Sequence, residues 1–278
     1  MLTDYHTHLR PDRADATPDE FFSEANVARY VETARERGIG ELGFAEHVYR
    51  FREALDIWTH PFWEKNATDD LDRYCDFVLE MKAIGHPVKL GIEMDFIPGA
   101  EDRISSLLEG RPWDYVIGSV HFIADGAIDH AGYDAWRASD PDTVWREYFT
   151  AVGAAAASGL FDILAHPDLV KIWGGSRPAP RVPLREFYEL AIDGIRDSKV
   201  AVEVSTAGLR KPAGEIYPSP ELLEMCLAAG RPVALSSDAH RPEEIGHAYD
   251  AALELLITEN VSTLAVFDQR RLIEQPIG

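Results

Sequence analysis

The residues near the amino terminus best suited to chemistry are two histidines separated by one residue, His6-Thr7-His8. Side chains alternate between the two faces of a β-strand, so a strand here would point both imidazoles to the same side. Two neighbouring imidazoles suit a divalent transition metal. A lone His-x-His pair also occurs in ordinary loops, so the metal interpretation depends on the rest of the chain.

Similar residues end other short apolar runs further along the chain. They are His47, Glu93, His121, His166, and a second i, i+2 pair formed by Asp238 and His240. Imidazole and carboxylate groups together favour zinc, manganese or iron. A catalytic zinc needs three protein ligands and a water, so one ion would not use all these candidates. The sequence therefore predicts two or three clustered divalent ions, with Glu93 bridging a pair.

The runs that precede these residues predict β-strands alternating with helices. The predicted strands are Leu2–His6, Glu41–His47, Val88–Met94, Tyr115–His121, Phe161–His166, Val200–Ser205 and Pro232–Asp238. The predicted helices are Asn26–Arg37, Leu71–Lys82, Asp142–Ala157, Leu184–Ser198 and Pro220–Ala229. Such alternation is typical of a parallel sheet. Polar residues at the strand ends favour a closed barrel, because the carboxyl ends of barrel strands meet at one mouth.

Two further segments leave alternatives open. Thr263–Phe267 is either an edge strand or a tail strand that covers the barrel. The aromatic stretch Phe51–Asn66 is either a satellite hydrophobic cluster or a lid over the mouth. The sequence has no linker and no low-complexity segment, so we expect one domain over residues 1–278.

Composition restricts the partners of the protein. The 278 residues carry a net charge of −21, which argues against nucleic acid and anionic membrane surfaces as partners. No apolar run is long enough for a transmembrane helix, and the start of the chain does not resemble a signal peptide, so we expect a cytoplasmic protein. Cys75 and Cys226 are predicted to be reduced packing residues. The choice between monomer and homo-oligomer stays open.

Taken in chain order, the motifs resemble the PHP (polymerase and histidinol phosphatase) family. The matching segments are His6-Thr7-His8, Ala45-Glu46-His47, Gly91-Ile92-Glu93-Met94-Asp95, Ile117-Gly118-Ser119-Val120-His121, Ala165-His166-Pro167-Asp168 and Ser236-Ser237-Asp238-Ala239-His240. Residues 205–211 and 238–244 resemble the histidinol-phosphatase branch in particular. The resemblance implies a distorted (β/α)7 barrel whose trinuclear metal site hydrolyses L-histidinol phosphate, a step of histidine biosynthesis.

The resemblance also implies how the ions are held. One ion takes His6, His8, Glu93 and Asp238; a second shares Glu93 and adds His121 and His166; a third takes His47, His240 and one more ligand soon after the first motif. Family members often place a histidine at the position of that last ligand, which is Ala14 here. Its neighbours Asp12 and Asp15 are the alternatives, and we predict Asp15. The acids Glu46, Asp95 and Asp168 are predicted to orient ligand imidazoles or to contact substrate.

The predicted reaction is hydrolysis of a phosphate monoester. A bound metal ion lowers the pKa of water from ~15.7 to about 7 and so provides hydroxide at neutral pH. Five residues are expected at the catalytic centre: His6, His8, Glu93, Asp238 and His240. Arg210 and Lys171 follow strand-end motifs and are predicted to contact the substrate phosphate. Bound cations would offset the acidic charge of the protein at short range.

Three other interpretations remain. The same chemistry could act on another small phosphate ester or a nucleotide, although the net charge disfavours a DNA end. A non-catalytic barrel could hold metal as a scaffold for a partner. An amidohydrolase-like enzyme also begins with His-x-His, but usually carries a ligating lysine on a mid-barrel strand, and no predicted strand end offers one.

Overall fold

A computed structural model describes residues 1–13, 15–137 and 139–277. In this part of the chain the strands are β1 (Leu2–Thr7), β2 (Ile39–His47), β3 (Val88–Asp95), β4 (Ile117–Ser119), β5 (Phe122–Ile123), β6 (Gly126–Ala127), β7 (Ile163–Leu164), β8 (Ala201–Ser205), β9 (Val233–Ser236), β10 (Thr263–Asp268) and β11 (Arg271–Pro276). The helices are α1 (Pro18–Phe21), α2 (Glu24–Glu36), α3 (Pro61–Asn66), α4 (Leu71–Ala83), α5 (Glu101–Leu108), α6 (Pro141–Ala157), α7 (Leu184–Asp197), α8 (Pro220–Ala228) and α9 (Tyr249–Thr258).

Seven of the described strands form a parallel sheet in the order β1-β2-β3-β4-β7-β8-β9. The last strand returns towards the first, because the backbone N–H of His8 donates to the carbonyl of Ala239 at 2.7 Å and the N–H of Ala239 donates to His6 at 3.2 Å. The sheet is therefore a nearly closed barrel, as predicted. All carboxyl ends of its strands meet at one mouth.

Strands β4 and β7 are shorter than the sequence predicts. Just before each of them, an aspartate side chain takes over a backbone hydrogen bond. The carboxylate of Asp114 accepts from the N–H of Leu90 at 2.7 Å, and that of Asp162 accepts from the N–H of Val116 at 2.8 Å. Side-chain acceptors thus replace the ladder at the amino ends of these strands.

The antiparallel hairpin β10–β11 covers the end of the barrel opposite the mouth. Its turn lies at the amino ends of the strands: Lys89 lies 3.2 Å from Asp268, and the N–H of Arg270 donates to the carbonyl of Asp114 at 2.8 Å. The ring of Phe267 packs against that of Tyr5, with 6.1 Å between centroids. Of the two alternatives for Thr263–Phe267, the tail strand that covers the barrel is therefore the observed one.

Local sequence signals explain where the helices begin and end. Helix α2 begins two residues earlier than predicted because the side chain of Ser23 accepts a hydrogen bond from the N–H of Asn26. Asp70 caps α4 in the same way through the N–H of Arg73. After α2 and α8 the chain turns through Gly38 and Gly230, whose φ angles of 72° and 75° favour glycine.

The aromatic segment 51–66 forms one wall of the mouth. It contains a short 3-10 helix and then α3. Trp63 is fully buried in the main core, whereas Phe62 packs against Phe122 of β5 with 5.7 Å between ring centroids. The segment is therefore packed into the barrel and is not a separate cluster.

The two cysteines pack in the protein interior as free thiols. Cys75 in α4 and Cys226 in α8 are buried and unbridged, as predicted. Among the helices of the described residues, none is both long and apolar enough to cross a bilayer.

Candidate metal centre

The barrel brings the strand-end histidines and carboxylates into one buried cluster at the mouth. The cluster contains His6, His8, His47, Glu93, His121, His166, Asp238 and His240. They come from β1 and the residue after it, from β2 and β3, and from the short segments that follow β4, β7 and β9. Because these strands are neighbours in the sheet, their ends converge without any long loop. We call this group the metal cluster.

Glu93 on β3 lies at the middle of the metal cluster. One carboxylate oxygen, Oε1, lies 3.3 Å from Nε2 of His121 and 3.2 Å from Nε2 of His166. The other oxygen, Oε2, lies near nitrogens of His6, His8 and His47. A carboxylate that faces five imidazoles in this way can bridge two cations.

Asp238 forms a second focus, beside the first two histidines. Its Oδ1 lies 3.4 Å from Nε2 of His8 and 3.8 Å from Nε2 of His6. The same oxygen lies 3.6 Å from Nδ1 of His240. The ring of His240 lies in turn near those of His8 and His47, so this end of the metal cluster is rich in nitrogen.

The donor atoms form overlapping groups, each of a size that holds one ion. In each group the potential ligand atoms lie within 4.8 Å of one another. The groups are His8, His47 and His240; His6, His8 and Asp238; His6, Glu93 and His166; and His47, Glu93 and His121. Because they share members, they indicate more than one ion.

Buried nitrogen and oxygen atoms without a hydrogen-bond partner indicate whether the metal cluster suits a metal ion. Within the described residues, Nε2 of His6, Nε2 of His8, Oε2 of Glu93 and Oδ1 of Asp238 are buried and have no hydrogen-bond partner. Buried polar atoms without a partner are costly, and here they all point at one another. Imidazole nitrogens and carboxylate oxygens are ligands of zinc and related ions. The donor set therefore fits divalent metal binding.

Outer carboxylates fix the orientation of the imidazoles. Nδ1 of His6 lies 2.7 Å from Oε1 of Glu203, and Nδ1 of His121 lies 2.8 Å from Oδ1 of Asp95. Each bond turns the other ring nitrogen, Nε2, towards Glu93. Such a partner behind a ligating imidazole is usual in metalloproteins. Asp95 was predicted to orient an imidazole or contact substrate, whereas Glu203 was missed. The sequence feature that could have indicated Glu203 is its place as the single acidic residue within the apolar strand β8.

Burial and neighbouring charges shift the pKa values of the cluster side chains in opposite directions. Burial would raise the pKa of Glu93, but the histidines around it outweigh burial and hold that pKa well below its usual range. Burial lowers the pKa of His47 to about 4. Although burial opposes it, the charges of Asp95 and Glu93 raise the pKa of His121 to about 10. Protons and metal ions therefore compete for this site.

Two residues of the metal cluster have unusual backbone conformations. The φ angles of His166 and Asp238 are 22° and 50°, where side chains with a Cβ are rarely found. The N–H of His166 donates to Oε2 of Glu203 at 2.6 Å, which stabilises the first of them. Backbone strain of this kind is concentrated at functional sites.

The structure does not bring Asp15 into the metal cluster. Its side chain is 82% exposed and pairs with Arg13. Asp12 lies there instead, with Oδ2 3.5 Å from Nε2 of His240. Arg50 holds it in place by donating from Nη2 to Oδ1 at 2.7 Å. Residue 14, the usual histidine position, lies outside the described residues.

Single substitutions distinguish the two acids. We expect Asp12→Ala to bind fewer metal ions per chain than the wild type, because it removes an oxygen next to His240. Asp15→Ala serves as the control and should keep the full content. Elemental analysis of dialysed protein measures both. Metal loss in Asp15→Ala together with a full complement in Asp12→Ala would reverse the assignment.

The structure places both predicted phosphate ligands in other contacts. Nη2 of Arg210 donates to the carbonyls of Ser237 and Asp238, at 2.8 and 2.9 Å. Nζ of Lys171 lies 2.9 Å from Asp168 and 3.0 Å from Glu215. Arg210 thus supports the backbone of a cluster residue, and Lys171 is already paired with carboxylates.

A cavity of about 470 Å³ opens onto the metal cluster. His47, His121, His166, Asp238 and His240 form its floor. Its walls carry several cations: Arg10, Arg13, Arg50, Lys65 and Lys211. The three arginines are paired with carboxylates, whereas the two lysines make no ion pair with a described residue. A small anionic substrate would therefore meet these two cations although the protein as a whole is acidic.

Comparison with known proteins identifies the family of this chain. A family model described as the PHP domain matches residues 20–207. A probable histidinol-phosphatase of Deinococcus radiodurans is 33% identical over 263 residues, 91% of this chain and 92% of that protein. The histidinol-phosphatase of Bacillus subtilis is 26% identical over 254 residues, 84% of this chain and 93% of that protein.

A solved structure shares the fold. It is the crystal structure of histidinol phosphate phosphatase from Lactococcus lactis, complexed with zinc, L-histidinol and phosphate. The two chains align over 98% of each with a TM-score of 0.76 and 20% sequence identity.

Proposed function

This chain belongs to the PHP domain family, and we propose that it is a metal-dependent phosphomonoesterase that hydrolyses L-histidinol phosphate to L-histidinol and phosphate. The observation that carries the reaction type is the set of buried, mutually facing lone pairs in the metal cluster. The substrate follows from the relative that is 33% identical over 91% of this chain and is called a probable histidinol-phosphatase. The reaction would serve histidine biosynthesis.

We assign the metal ligands as follows. His6, His8, Glu93 and Asp238 would hold one ion, and Glu93 with His121 and His166 a second, as the short distances between their donor atoms support. His47 and His240, with Asp12 in place of Asp15, would hold a third. Zinc, manganese and iron all suit these donors. When bound, such ions activate water near neutral pH and neutralise phosphoryl charge.

The protein itself contributes position and charge. Glu203 and Asp95 keep Nε2 of His6 and of His121 aimed at Glu93. Lys65 and Lys211 of the cavity wall, which make no ion pair with a carboxylate among the described residues, would attract the phosphate. Arg210 acts through Asp238, whose carbonyl it holds, and Lys171 acts through Asp168.

The proposed enzyme is a single-domain cytoplasmic protein that acts on a small molecule. Strands from residue 2 to residue 236 share one barrel, which supports a single domain over residues 1–278. The acidic charge argues against nucleic acid, and the relatives' names support a small phosphorylated substrate. Two unbridged cysteines fit the cytoplasm.

A substrate panel tests the function. Purified protein is analysed for zinc, manganese and iron, and phosphate release is then measured with histidinol phosphate, a nucleoside monophosphate and p-nitrophenyl phosphate. We expect bound metal and a kcat/KM for histidinol phosphate at least ~100-fold above the other two, since a site that pairs a substrate's polar groups discriminates strongly against analogues that lack them. Chelation should abolish all activity. Equal rates on all three esters would refute the substrate, and full activity without metal would refute the chemistry.

A further inference from the structure

The cavity above the metal cluster contains an acidic side chain that the hydrolysis does not use. Among the described residues that line it, the carboxylates are Asp12, Asp129 and Asp238. Asp12 pairs with Arg50, and Asp238 faces His6 and His8. Asp129 remains, and its carboxylate makes no hydrogen bond or ion pair with any other described side chain.

The fold holds Asp129 close to the metal cluster. It follows the hairpin β5–β6, which begins directly after His121. The N–H of Ile128 donates to the carbonyl of His121 at 2.8 Å, so the two ends of the hairpin stay together. Asp129 directly follows Ile128, so this hydrogen bond to His121 fixes its backbone near the metal cluster. Its side chain is half-buried in the cavity wall.

Asp129 adds a negative charge to the wall of the cavity. Burial raises the pKa of Tyr217, and the carboxylates of Asp168, Asp238 and Asp129 raise it further. Tyr217 also lines the cavity. An unpaired carboxylate in this position would repel a phosphate dianion, so a substrate should offer it a positive group.

Aromatic rings surround the same part of the cavity. Phe62 packs against Tyr133 at 5.6 Å, against His130 at 4.8 Å and against Tyr49 at 4.9 Å between ring centroids. All four side chains line the cavity. A flat ring of the substrate would find apolar and edge-to-face contacts here.

We propose that Asp129 is the specificity residue that binds the ammonium group of the substrate, while the aromatic wall packs against its imidazole ring. The inference rests on the proposed function, because L-histidinol phosphate carries an ammonium group, an imidazole and a phosphate. With the phosphate at the metal cluster, the two remaining groups meet a carboxylate and an aromatic surface. Asp129 thus selects an amino-alcohol phosphate among small phosphate esters.

The test compares histidinol phosphate with its deaminated analogue, 3-(imidazol-4-yl)propyl phosphate. We expect Asp129→Asn to raise KM for histidinol phosphate by roughly 10- to 100-fold, the loss expected for a charge-assisted hydrogen bond. The KM for the analogue should change less than about twofold, because the analogue has no ammonium group for Asp129 to bind. The kcat for both substrates should also change less than about twofold, because this contact binds the substrate and its transition state equally. Asp125→Asn is the matched control: it lies on the turn of the same hairpin, exposed and outside the cavity, and should leave both substrates unchanged.

The outcomes separate the inference from the function on which it rests. Equal losses for both substrates would show that Asp129 supports the metal cluster and would overturn the inference. An unchanged KM for histidinol phosphate would overturn it too. In both cases hydrolysis by the wild type would leave the proposed function standing. If the wild type does not hydrolyse histidinol phosphate, the proposed function fails and the ammonium assignment falls with it.

Discussion

Replacing Glu93 with glutamine is expected to remove bound metal and to lower kcat/KM for histidinol phosphate by at least about a thousandfold. The glutamine keeps the size of the side chain but offers one carbonyl oxygen and one amide nitrogen. In the wild type both carboxylate oxygens of Glu93 face imidazole nitrogens. The amide nitrogen of glutamine would instead point its N–H groups at imidazole nitrogens and could not bind a cation. Metal ions contribute several kcal/mol to such reactions, and each 1.36 kcal/mol is a tenfold change in rate.

Metal content and activity should fall together in this variant. Elemental analysis and phosphate release are measured on the same preparation, with Glu109→Gln at the exposed end of α5 as the control. Circular dichroism shows whether the barrel is intact. A Glu93→Gln protein with wild-type metal content and turnover would contradict the central place of Glu93 in the site.

The convergence of the strand-end histidines and carboxylates could be predicted from sequence because two simple regularities fix their positions. Side chains alternate along a strand, and parallel strands of a barrel end at the same mouth. His47 and Glu93 lie at the ends of long strands whose apolar pattern is clear. His166 follows a strand of two residues, and only the similar motifs along the chain pointed to it.

The choice between Asp12 and Asp15 could not be made from sequence. Both acids lie in a loop without periodicity, so spacing alone favours neither. The contact that holds Asp12 near His240 is its ion pair with Arg50, 38 residues away in the sequence. The role of Arg210 could not be predicted from sequence either. Its guanidinium donates to the carbonyls of Ser237 and Asp238, and no sequence pattern indicates these hydrogen bonds.

The second large effect is expected at Glu203, a positioning residue beneath the metal cluster. Its two oxygens accept from Nδ1 of His6 at 2.7 Å, from the N–H of His166 at 2.6 Å and from the hydroxyl of Ser236 at 2.7 Å. Glutamine has one acceptor oxygen for these three donors, so at least one donor would meet an amide N–H. Glu203→Gln should therefore weaken metal binding by about 10- to 100-fold, as loss of such an outer partner typically does.

Metal titration separates positioning from a general loss of structure. Activity of Glu203→Gln is measured against free zinc or manganese, beside Ser236→Ala, which removes one of the three bonds and leaves the carboxylate on His6. We expect the glutamine variant to need more metal for half-maximal activity and to recover most of its kcat at saturation, with a smaller shift for the alanine variant. Thermal unfolding at saturating metal should change little. A reduced kcat that excess metal does not restore, at an unchanged metal affinity, would mean that Glu203 supports the barrel without orienting the ligand imidazole.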